Sequence, residues 1–420
     1  MSFLRTSLLS GVAVSTKMGA LLLINKVLAL YMGPAGFAIV GQLQNIVGAM
    51  TSLSSASSSV GVTKYTSEYS FSFNKQREIW RSAVLMSLCC SVLCAAILII
   101  FRFEIASYAF AGEVDSVVLV WLAICLFFSA VNLTLLAVLN GQQRVGLYSL
   151  ANIFGSLLSA LLVLGLTSLH GIIGGLIAVS TYQAFALVAT LCICLKCSWF
   201  RFSNFFGRVS WSAVGKLSKF SLMALVSAIC APIAHMLIRS NIGDQYGWEF
   251  AGYWEAASRL SAAYLMFITT TLSVYFLPRL ASISNAKELS AEILSGYKVV
   301  LPLLAISGIF IYLSRDFLIA ILFSADFYAA RELFLGQVIG DFLKMAGWLI
   351  SYVLLARALV WQFIVAEIVF TALYVALALF FLKVAGWEGV MIAYVVNYTA
   401  YWLVVYFLLN KSIGFSLCRR

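Results

Sequence analysis

Runs of about twenty predominantly apolar residues recur from one end of this chain to the other, and a helix of that length crosses a hydrocarbon core ~30 Å thick. No other feature constrains the fold as much. A water-soluble surface could not be built from what remains, because 63% of the 420 residues are hydrophobic and only 10% are charged, with a mean hydropathy of +1.01. The chain reads as an all-α polytopic membrane protein.

About twelve spans are expected, each near the bilayer-crossing length: roughly 7–32, 36–62, 80–101, 116–140, 146–168, 171–195, 216–240, 248–278, 295–314, 331–355, 359–383 and 388–410. Connections are short. MGPAG (32–36) and HGIIGG (170–175) are tight turns, where Pro and Gly end one helix and let the next begin. Arg5 precedes an apolar run, as in a signal peptide. Lys17 interrupts that run and no small-residue cleavage site follows, so the segment reads as a retained first span.

The net charge of +11 is explained by topology rather than by nucleic acid, since no basic tract with interleaved aromatics stands apart from the apolar runs. With the N-terminus inside, Lys and Arg divide about 18 to 5 in favour of the cytoplasmic connections and termini, as the positive-inside rule requires. Arg239 falls among the five outer ones. Both termini are then cytoplasmic. The longest polar connection, KCSWFRFSNFFGRVSWSAVGKLSKF (196–220), mixes basic and aromatic residues and is expected in the headgroup layer.

That connection lies at mid-chain, and the halves around it echo each other. Phe37-Ala38 and Phe250-Ala251 are related by an offset of 213, and the same offset pairs Lys26 with Arg239. The expected organisation is an N-lobe of helices 1–6 (1–195), a basic interfacial linker (196–215) and a C-lobe of helices 7–12 (216–420). Both lobes start inside, so the repeats are parallel, an arrangement in which transporters bind cargo between halves and alternate access.

Several ionisable residues fall within spans: Lys17 and Lys26 in the first, Glu255 and Arg259 in the eighth, Asp341 and Lys344 in the tenth, and Glu367 in the eleventh. Each costs at least ~2.5–3.5 kcal/mol at a helix centre, so each must face protein or water rather than lipid. Glu255–Arg259 and Asp341–Lys344 have the three- and four-residue spacings of local ion pairs. Lys17 and Lys26 have no acid within a turn. With Lys64 and Arg144 near the cytoplasmic mouth, a cavity so lined attracts an anion, whereas Glu255, Asp341 and Glu367 are candidates for ion coupling. No Gly-rich phosphate loop, acyl-transfer triad or metal-ligand cluster is present, CICLKC (192–197) matches no zinc spacing, and neither cofactor nor metal is expected.

The first helix with Lys17 and Lys26, GPAG (33–36), GVTKY (61–65), LSKFSLMAL (217–225), SVYFLPRL (273–280), GDFLK (340–344) and AEIVF (366–370) together resemble the Wzx flippases, the polysaccharide-transporter branch of the multidrug/oligosaccharidyl-lipid/polysaccharide exporter superfamily. The likeness runs along the whole chain. It implies a V-shaped pair of six-helix lobes in the bacterial inner membrane. The implied cargo is an undecaprenyl-diphosphate-linked oligosaccharide, such as an enterobacterial common antigen or O-antigen unit, moved from cytoplasmic to periplasmic leaflet with help from an ion gradient. Membrane lipids, a polysaccharide polymerase and a chain-length regulator are the implied partners. By motif match, Lys17, Lys26, Lys64, Asp341, Lys344 and Glu367 carry over as cavity residues; Arg144, Glu255 and Arg259 rest on position alone. A cation-coupled multidrug exporter would instead carry dominant acids. A peptidoglycan-precursor flippase would carry two further helices, and an O-antigen polymerase a long outer loop with arginines.

Overall fold

The structure, a computed structural model, describes residues 3–55, 59–110, 114–272, 276, 279–280, 283, 285–357 and 359–413. These are helical nearly throughout. The first elements are α1 (Phe3–Ser55), α2 (Ser59–Glu68), α3 (Phe73–Ile100), α4 (Arg102–Phe110), α5 (Val117–Gly141) and α6 (Val145–Cys194). After the mid-chain connection come α7 (Trp211–Tyr246), α8 (Trp248–Thr271), α9 (Ala286–Leu313), α10 (Arg315–Leu322), α11 (Phe334–Ala356), α12 (Val360–Ala385) and α13 (Gly389–Ile413).

Two elements are far longer than one crossing. α1 is broken at Gly33, with φ 63°, next to Pro34, and α6 at Gly171, with φ 57°, so each supplies two crossings. α8 is long enough to cross, but Glu249, Glu255 and Arg259 lower its hydropathy, so its membrane-spanning character rests on where those charges go. Counting α1 and α6 twice, the long helices among the described residues supply the expected spans.

The 213-residue offset is written into the secondary structure. Adding 213 to 73 and 100 gives 286 and 313, so α3 maps onto α9 residue for residue. Each is followed by a short helix, α4 and α10, whose first residues, Arg102 and Arg315, have the same separation. The left-handed glycines fall close to the same offset without matching it: Gly247 (φ 106°) lies one residue beyond the repeat position of Gly33, and Gly386 (φ 74°) two residues beyond that of Gly171.

By contacts the chain forms two units. The first comprises Met1–Met32 with Ile39–Pro232; the second comprises Gly33–Ala38 with Ile233–Arg420. In the first unit Trp80 is fully buried and stacks on Phe205 with ring centroids 5.5 Å apart. Trp199 lies 5.5 Å from the same indole, and Val138, Leu139 and Leu217 complete the cluster. The mid-chain connection thus divides its aromatics: Trp199 and Phe205 are core residues, whereas Phe202, Phe206 and Trp211 are exposed and free to sit at an interface.

In the second unit the glycines of α11 set the packing. A Cβ on Gly336 would lie 2.5 Å from Met391, one on Gly340 2.0 Å from the Tyr394 ring, and one on Gly347 2.8 Å from Tyr401. Without side chains there, α13 closes directly onto α11, the small-residue packing of membrane helices.

Candidate functional site

Each unit holds its own polar interior. In the second unit α8 brings Glu255 to Arg259 one turn later, with Arg259 Nε donating to Glu255 Oε1 at 2.7 Å. The other carboxylate oxygen is taken by Arg239 from α7. Arg239 is 1% exposed, so it is not the outer-loop residue the charge count expects. It lies in the last turns of a helix that runs on to Tyr246, and burial without an anion would be prohibitive. Its repeat partner Lys26, an intrahelical lysine, is the sequence signal that points to this. Aromatic faces complete the setting: Arg259 sits 4.4 Å from the Phe37 ring centroid, Arg239 5.6 Å from that of Trp254, and the His235 ring is tilted 31° to the same indole at 5.2 Å.

Asp341, fully buried in α11, accepts hydrogen bonds from Tyr264, from Tyr394 at 2.8 Å and from Gln337 Nε2 at 3.1 Å. Gly340 explains the geometry, because its missing side chain is where the Tyr394 ring lies. Lys344 does not form the local ion pair its spacing allows. Its ammonium lies 5.0 Å from the Trp348 ring centroid, 5.5 Å from that of Tyr398 and 5.9 Å from that of Tyr394. Tyr394 therefore joins the two charges, its hydroxyl on Asp341 and its ring beside Lys344. Glu367, half-buried on α12, is within electrostatic reach of the same ammonium. The interior of this unit holds three cations (Arg239, Arg259, Lys344) and three carboxylates (Glu255, Asp341, Glu367), of which Glu255 pairs directly with the two arginines.

The first unit is different. Between the two halves of α1, α5 and both halves of α6 lies a cavity of about 370 Å³, within the size range of small-molecule sites. Lys17 is its one charged lining residue. Around it are Asn132, Asn152, Gln183, Tyr182 and hydroxyls that include Ser129, Ser159 and Thr190. Some are held in place: Thr190 Oγ1 donates to Asn132 Oδ1 at 2.6 Å, and Gln183 Nε2 to the Tyr182 hydroxyl at 3.0 Å. Thr51 also lines the cavity, and its buried hydroxyl has no hydrogen-bond partner. Such a lining offers an ammonium and several neutral donors and acceptors, and no carboxylate.

Lys26, half-buried nine residues beyond Lys17, does not line this cavity. Lys64 on α2 and Arg144 at the start of α6 are exposed. Apart from Lys26, the expected site residues thus fall into three sets. The Glu255 and Asp341 centres belong to one unit, Lys17 with its cavity to the other, and Lys64 and Arg144 to the surface of the latter. The lining amides and hydroxyls, Arg239, Tyr264 and Tyr394 were not among the candidates. Neutral polar residues in apolar runs carry no distinguishing spacing.

A family model described as "Polysaccharide biosynthesis protein" matches residues 3–284. Along 100% of both chains this one is 31% identical to the Lipid III flippase of Escherichia coli (strain K12), and equally to that of Shigella flexneri. Among solved structures it is similar to the inward-facing conformation of a multidrug resistance MATE family transporter of the MOP superfamily, with a TM-score of 0.78 over 94% of each chain at 15% identity. That last likeness establishes the fold.

Proposed function

The chain belongs to the polysaccharide biosynthesis protein family, and from that premise we propose that it is a flippase for a polyprenyl-diphosphate-linked oligosaccharide. It is a transporter rather than an enzyme. It carries the hydrated head, diphosphate plus glycan, across the bacterial inner membrane from cytoplasmic to periplasmic leaflet while the lipid tail stays among acyl chains. Both termini are cytoplasmic. Lobes 1–195 and 216–420, joined by the linker 196–215, alternate access, and Asp341 and Glu367 exchange an ion as they do so, whereas Glu255 is held by its two arginines.

One observation carries this reading: the cavity of the first unit is lined by a single charge, Lys17, amid amides and hydroxyls. Sugar hydroxyls need neutral donors and acceptors, and phosphate or a sugar carboxylate needs a cation. The fold is shared with multidrug exporters, but a site for cationic drugs requires carboxylates, and none lines this cavity. The intramembrane acids Glu255, Asp341 and Glu367 lie in the second unit, beside an equal number of cations. The excess intramembrane positive charge, Lys17 and Lys26, belongs to the first.

Depleting the protein in its own bacterium tests the reading. Lipid extracts analysed by mass spectrometry should then accumulate one completed undecaprenyl-diphosphate-linked repeat unit. Unchanged lipid-linked glycans together with raised sensitivity to cationic drugs would replace the flippase by the drug exporter.

A further inference from the structure

In the first unit, among residues that do not line the cavity, three lysines from separate segments meet around two tyrosine rings. Tyr65 and Tyr69, one turn apart, stack with centroids 6.1 Å apart and planes 19° from parallel. Lys64 Nζ lies 5.3 Å from the Tyr65 centroid and Lys75 Nζ 5.5 Å from that of Tyr69. Lys216 spans both rings, at 5.9 and 5.5 Å, and donates to the Tyr69 hydroxyl at 2.9 Å. Glu68 is within electrostatic reach of Lys216, so among the described residues a carboxylate accompanies that ammonium.

This cluster is built rather than accidental. Gly61 allows Leu217 of α7 to close on α2, since a Cβ there would lie 2.7 Å from its Cδ2. Thr66 anchors the same turn of α2: Trp80 Nε1 donates to its hydroxyl at 2.9 Å, and Gln76 Nε2 to its carbonyl at 2.7 Å. Bringing three like charges together costs Coulomb energy, and an anion between them would recover it. Large apolar side chains mark the depth. Phe71, in the turn between Tyr69 and Lys75, is fully exposed, and Trp211, five residues before Lys216, is 80% exposed. Aromatics so placed belong at the membrane–water interface, which puts the lysines at the level of lipid phosphates.

The geometry points to a lipid-diphosphate docking site formed by Lys64, Lys75 and Lys216 on the Tyr65–Tyr69 stack. It rests on the flippase reading and adds to it a place where the carrier's diphosphate is captured before the glycan enters the cavity. The site is specific for the doubly charged diphosphate over the single charge of ordinary anionic phospholipids, because three ammonium groups exceed what one phosphodiester neutralises.

The test uses full-length protein in phosphatidylcholine nanodiscs, titrated with undecaprenyl diphosphate and, separately, with phosphatidylglycerol. Lys75→Gln and Lys216→Gln each weaken undecaprenyl diphosphate binding about threefold and together at least tenfold, with unchanged thermal stability, whereas Lys298→Gln in the second unit has no effect. Wild-type binding with the double variant unaffected overturns the site and leaves the flippase reading standing. Equal loss of phosphatidylglycerol binding in the double variant makes it a bulk-lipid contact and also overturns it. Wild-type protein that binds no undecaprenyl diphosphate overturns the flippase reading itself.

Discussion

Arg239 of α7 and Glu255 of α8, 16 residues apart, are locked together in the interior of the second unit, and Arg259 holds the carboxylate's other oxygen. One carboxylate thus serves two buried guanidinium groups, so the three residues act as one structural element. Glu255→Gln removes the carboxylate that the two buried cations share and should cost ~3–5 kcal/mol of stability, read as a large drop in detergent melting temperature. Replacing all three, Arg239→Met with Glu255→Leu and Arg259→Met, should restore most of it. A Glu255→Gln protein that melts like wild type would exclude this structural role.

Asp341 and Lys344 communicate through Tyr394, and Gly340 makes room for that ring. Gly340→Ala should cost ~1–3 kcal/mol as its methyl displaces the ring. Tyr394→Phe, which keeps the ring and removes the donor to Asp341, should cost ~1 kcal/mol. Both should slow transport more than they lower stability, and paired transport and melting measurements separate the two effects.

These two centres show how far the sequence can be read. Glu255–Arg259 is legible because a four-residue spacing puts both on one helix face. Asp341–Lys344 has nearly the same spacing and a different outcome. Tyr264 and Tyr394, from helices distant in the chain, offer Asp341 hydroxyl donors, and Lys344 turns to three aromatic faces instead. Arg239–Glu255 joins separate helices, which no local pattern encodes. The crossings are legible from apolar run length and from the Gly33 and Gly171 breaks. The short helices α4 and α10, of 9 and 8 residues, are not, because each is too short to cross and follows a long apolar run with little but Arg102 or Arg315 to mark the break. They emerge through the 213-residue repeat.

Lys17 lines a cavity instead of pairing with an acid. Lys17→Gln should therefore leave the melting temperature unchanged and lower transport at least tenfold, while Lys17→Arg retains a substantial fraction, since a guanidinium also binds phosphate or carboxylate. A melting temperature lowered by several degrees in Lys17→Gln would make the lysine structural.

On the surface of the second unit Glu388 has a carboxyl pKa raised above the ordinary value by partial burial and then by Glu332, with which it shares a hydrogen bond. A raised carboxyl pKa means the native state binds its proton more tightly than the unfolded chain does. The stabilisation is complete below the unfolded pKa, about 4.3, and fades as pH rises through the native value. Glu388→Gln should raise the melting temperature near pH 7 and flatten its rise towards pH 4–5. An unchanged pH profile would mean the two carboxyls do not share a proton.

The central claim, that this protein moves a lipid-linked sugar head through a basic, amide-lined path, is tested most directly in proteoliposomes that carry a fluorescent undecaprenyl-diphosphate oligosaccharide. The measurement is the fraction open to an impermeant glycosidase over time. With wild-type protein the protected inner-leaflet pool should become cleavable, and with Lys17→Gln it should do so at no more than a tenth of that rate. Protection that decays with wild-type protein only as slowly as in protein-free vesicles would contradict the account.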